Sequence, residues 1–61
     1  MTALVAQLLA GWCLREAAIS YELFRALAEE RDSILAFRCE LALWRHARDM
    51  QELGYQIAEA A

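Results

Sequence analysis

The chain is expected to be all-α, an antiparallel two-helix hairpin that dimerises into a four-helix bundle or packs on a larger partner. Three observations carry this expectation. Two long Ala/Leu-rich segments, free of proline, flank a single run of five polar residues, Glu29-Glu30-Arg31-Asp32-Ser33, near the middle of the 61 residues. Both segments repeat their apolar residues at helical spacing. On one continuous helical wheel their apolar centres lie roughly 150° apart, so a straight helix would switch its apolar stripe from one side to the other half-way along. A break at the polar run removes that conflict. The expected layout is one domain over 1–61, with a first helix over about 3–30, a turn at about 31–33 and a second helix over about 34–58.

The first helix opens at Thr2, whose hydroxyl suits an N-cap. Its apolar centre falls near Leu9, Cys13, Leu23 and Leu27, and Val5, Leu9, Trp12, Ile19, Leu23 and Leu27 form the expected core face. Glu16 and Ser20 interrupt that face. A buried carboxylate needs a donor, and antiparallel pairing with residue numbers summing to about 64 brings Glu16 near Arg48 or His46. Gly11 costs about 1 kcal/mol in a helix interior unless a neighbouring backbone comes close there. The apolar run Met1 to Leu14 is too short to cross a bilayer and lacks a positive leader, which argues against a signal or an anchor.

At the turn, Asp32 or Ser33 can cap the second helix, while no Gly or Asn offers a left-handed end to the first. The second helix then carries a heptad seam, Ala36, Cys39, Leu43, His46, Met50, Leu53, Ile57 and Ala60. Beside it runs a second line, Phe37, Leu41, Trp44, Arg48 and Tyr55, with Glu40 and Gln51 between the two. One hairpin partner cannot cover both lines, and surplus apolar surface implies another protein. With Ala36, Ala47, Gly54 and Ala58 on or beside the seam, neighbouring helices could approach closely. Gly54 could also end this helix, but the heptad continues through Ile57.

Composition bounds the function. A chain this short buries only about 60% of its unfolded surface, yet 61% of its residues are hydrophobic and 25% charged, which suits a bundle rather than a disordered tail. A net charge of −3 argues against a generic nucleic-acid binder. All six basic residues are Arg, the cation that interfaces favour. Cys13 and Cys39 are far apart in the pairing, which suggests two thiols in a reducing, cytoplasmic setting. Phosphate loops, dinucleotide fingerprints, His-Glu-x-x-His and Cys-x-x-Cys are all missing from the sequence. His46 stands alone, and Cys39 lies about 10 Å from it along the helix, too far to share a metal ion. Ser20 would lie within about a turn of His46 in the hairpin, with Asp49 or Glu16 as a third member, so geometry alone does not forbid a triad. Two helices, however, supply no oxyanion hole and no pocket.

The function expected from these residues is a non-enzymatic protein–protein interaction module, such as a small adaptor, co-chaperone or inhibitor, without cofactor or metal. Its partner is a second copy, a larger protein, or both. The expected contact residues are Trp12, Phe37, Leu41, Trp44, Arg48 and Tyr55, with Leu43, Met50 and Leu53 in the seam, because Trp, Tyr and Arg are the usual interface anchors. If His46 is buried in such a contact, its protonation would make association pH-dependent. The alternative is a small dimeric helical-hairpin regulator of nucleic acid, for which Arg38, Arg45 and Gln56 share one face. Asp49, Glu52 and Glu59 lie on the same face and oppose its field.

Overall fold

In the computed structural model, which describes residues 1–30 and 33–60, two helices pack against each other as a hairpin: α1 over Ala3–Ala28 and α2 over Ile34–Ala60. Arg31 and Asp32, assigned above to the turn and to one of two possible caps, lie outside the described residues. Thr2 caps α1 in extended backbone, its hydroxyl oxygen accepting from the Val5 amide at 3.2 Å. Ser33 does the same for α2, its Oγ accepting from the Ala36 amide at 3.0 Å. Each cap satisfies an amide that the first helical turn leaves without a partner.

The far end of α1 closes without a left-handed residue. Glu29 stays right-handed, and the amides of Glu29 and Glu30 donate to the carbonyls of Ala26 and Leu27 at 3.4 and 3.0 Å. This tightening to three-residue spacing stands in for the missing glycine cap. It also ends the helix two residues before the expected 30. At the other end α2 runs through Gly54, as the continuing heptad implies, and on to Ala60, two residues past the expected 58.

The seam between the helices corrects the expected core. On α1 the buried positions are Ala6, Ala10, Cys13, Ala17 and Ser20, and on α2 they are Glu40, Ala47 and Gly54. The first set alternates at four and three residues and the second recurs every seven, so both describe one straight line of contact. Apart from Glu40 these residues are small. Val5, Trp12, Ile19 and Leu23, expected in the core, are exposed, and Leu9 and Leu27 are half-buried. Likewise Cys39, His46, Leu53 and Ala60 of the expected heptad seam are exposed, while Ala36, Leu43, Met50 and Ile57 are half-buried along its edge. The strip between the two apolar lines of α2, marked by Glu40, is what faces α1.

The physical reason lies at Gly54. A Cβ placed there would stand 3.1 Å from Leu14 Cγ and 3.2 Å from Cys13 Cβ, so α1 approaches closer than most side chains allow. Apart from Glu40, and Leu14 against Gly54, the large residues are turned to the two sides of this seam. Gly11, by contrast, has only the Arg15 guanidinium near its missing Cβ, at 3.9 Å, and no backbone approach explains it. Cys13 is fully buried against Gly54, Cys39 is exposed, and both are free thiols.

Substitutions at the two glycines should therefore move stability in opposite directions. Gly11→Ala is expected to raise it by about 0.5–1 kcal/mol through helix propensity. Gly54→Leu is expected to lower it by at least about 2 kcal/mol through overpacking. Urea unfolding followed by circular dichroism at one protein concentration reads both, and a stable Gly54→Leu hairpin would refute the close seam. Ser33→Ala should cost about 1 kcal/mol in the same assay.

Candidate functional site

With the seam made of small residues, the large side chains form two flanks running the length of the hairpin. One flank joins Val5, Leu9, Trp12, Glu16, Ile19 and Leu23 of α1, which share a side at helical spacing, to the line of α2 through Cys39, Leu43, His46, Met50 and Leu53. Two observations tie these lines together. Leu23, Leu27, Cys39, Ala42, Leu43 and His46 line one open groove, and His46 Nε2 lies 3.4 Å from Glu16 Oε1. We refer to this side as the histidine flank.

The other flank is aromatic. Phe24 of α1 meets Phe37, Glu40, Leu41 and Trp44 of α2 around a shallow groove, and Tyr21 shares a second groove with Tyr55, Gln51, Leu14, Ala17 and Ala18. The rings of Tyr21 and Phe24 meet edge to face, with centroids 6.1 Å apart at 87°. Arg48 lays its guanidinium over Trp44, 5.4 Å from the ring centroid. These two are neighbours one turn apart, so the stacking follows from sequence spacing once α2 is a helix.

The expected contact residues fall on both flanks. Trp12, Leu43, Met50 and Leu53 lie on the histidine flank, and Phe37, Leu41, Trp44, Arg48 and Tyr55 lie on the aromatic one. Trp12 is 49% exposed, Phe37 58% and Tyr55 54%, large values for residues of this size. Leu43, Trp44 and Met50 are half-buried. Sequence reasoning passed over Leu4, Leu8, Ile34 and Leu35, which are among the most exposed apolar side chains of the hairpin.

The polar members are few. Glu16 finds His46, as its position on an apolar face requires, but both side chains keep substantial exposure, 38% and 46%. Glu40 is the one charged side chain buried among the described residues. Ser20 is buried in the seam, whereas His46 Nε2 is directed at Glu16 on the flank. Among the described residues no group of three or more His, Cys, Asp or Glu side chains could hold a metal ion.

The helix α1 is long and apolar enough, by length and composition, to cross a membrane. The length bound drawn above from Met1 to Leu14 alone therefore does not apply to the whole helix. Arg15 and Glu16 sit at its middle, where each charge costs about 2.5–3.5 kcal/mol in a bilayer core, and one side of α1 is already packed on α2.

Comparison with known protein families, with characterised proteins and with solved structures finds no match. The geometry of the two flanks is therefore what bears on function.

Because the Arg48–Trp44 contact joins an exposed arginine to a neighbour one turn away on the same helix, Arg48→Ala should change hairpin stability by no more than about 1 kcal/mol. Thermal unfolding of the variant checks this. A larger loss would mean that Arg48 is covered by another chain.

Proposed function

We propose that the hairpin is a non-enzymatic protein–protein interaction module, acting by presenting its apolar flanks to a second copy of itself, to another protein, or to both. One observation carries the reading. The seam consumes small residues, so closing the hairpin leaves Trp12, Ile19, Leu23, Phe37, Leu41 and Tyr55 all at least 40% exposed. Soluble monomers seldom keep continuous apolar patches of that extent uncovered. The aromatic residues and Arg48 add the side chains that anchor interfaces. Adaptor, co-chaperone and inhibitor are all roles that such a module fills without chemistry of its own.

The reading predicts that both flanks are covered by polypeptide where the protein works. A photoreactive amino acid placed at Trp12 or at Phe37 in living cells of the source should give protein adducts on irradiation. Adducts to lipid alone, or none from either position, would overturn it.

A further inference from the structure

We infer, resting on that reading, that the histidine flank is a self-association face, and that two copies meet there with α1 of each lying across α2 of the other. The first argument is size. The hairpin exposes 4813 Å², whereas a compact monomer of its 7.0 kDa mass exposes about 4,000 Å². The excess of about 800 Å² matches the area that each partner loses in a standard interface, also about 800 Å².

Shape gives the same answer. The radius of gyration is 13.9 Å, against about 10.5 Å for a compact chain of this length and about 14 Å for one twice as long. The molecule already has the length of the doubled domain, 46 Å, but only 13 × 12 Å of its cross-section by backbone extents. Adding a second hairpin side by side supplies the missing width.

Charge selects the face and the arrangement. Glu16 and His46 form the polar break in the histidine flank, and each lies near the middle of its helix. Their contact leaves both side chains partly exposed, with further donor and acceptor capacity. An apolar partner would strand that capacity in a dry interface. A second copy meets it with the same pair. When α1 lies across α2 of the other copy, each carboxylate faces an imidazole from either side and the four groups alternate. With α1 across α1, Glu16 would face Glu16. The alternating arrangement brings the two turns to the same end of the bundle and leaves Phe37, Trp44 and Tyr55 outside it.

The test uses the purified full chain. Light scattering should give twice the 7.0 kDa monomer mass at micromolar concentration. Leu23→Glu on the histidine flank should raise the dissociation constant about 30-fold or more, and Phe37→Glu on the aromatic flank should leave it unchanged. If Leu23→Glu fails to fold, a mixing experiment still decides. Glu16→Lys and His46→Glu should each weaken self-association about tenfold, and an equimolar mixture of the two should recover it as a heterodimer. Spin labels at Glu30→Cys in a Cys39→Ser background should lie about 10–25 Å apart, the scale of a bundle cross-section, and not the 46 Å of the hairpin's length. A folded monomer, a dimer broken by Phe37→Glu alone, mixing without recovery, or a long label distance would each overturn the inference. A monomer that still forms adducts with a different protein from Trp12 or Phe37 would leave the broader reading standing.

Discussion

The close approach of α1 to Gly54 sets almost everything else in this structure. With Leu14 and Cys13 only 3.1–3.2 Å from where a Cβ would stand, the seam admits alanine, cysteine and serine opposite Ala47 and Gly54. Burial of such small groups removes little apolar area per residue. The hairpin therefore gains its alignment from the seam but keeps most of its hydrophobic surface in reserve on the flanks. A seam of leucines would have reversed this, hiding the large side chains inside and leaving a polar exterior.

That division gives the molecule two unlike sides. The histidine flank is aliphatic apart from Trp12, with one polar pair at its centre. The aromatic flank has a stacked arginine and edge-to-face rings, features suited to anchoring in another protein's pockets. A bundle formed through the first side would display the second twice, once on each copy. Self-association and recognition of a different protein would then use separate surfaces, and neither would have to be given up for the other.

Several parts of this arrangement were legible in the residues. The phase jump between the two segments located the break, the Thr2 hydroxyl marked the first helix start, and the second start was narrowed to Asp32 or Ser33. Glu16 on an apolar face called for a donor, and antiparallel pairing offered Arg48 or His46, of which the structure has His46. The seam was legible only in part: small residues such as Ala47 and Gly54 marked where a neighbouring helix can come close, but a helical wheel weighted by hydrophobicity is drawn toward the largest side chains. Val5, Trp12, Ile19 and Leu23 outweighed Ala6, Ala10, Cys13 and Ala17 in that sum, and Cys39, His46 and Leu53 outweighed Ala47 and Gly54. Gly54 was equally ambiguous, since a helix-ending glycine and a close-packing glycine look the same without a neighbour.

The sequence by itself determined that there are two helices, where they begin, and that their apolar surface exceeds what one hairpin can hide. Those are local or additive properties, fixed by spacing, capping side chains and composition. Only the tertiary structure decided which strip of each helix faces the other. That choice depends on how near the backbones can come, a quantity set jointly by pairs such as Gly54 and Cys13 that lie 41 positions apart. No single segment carries it.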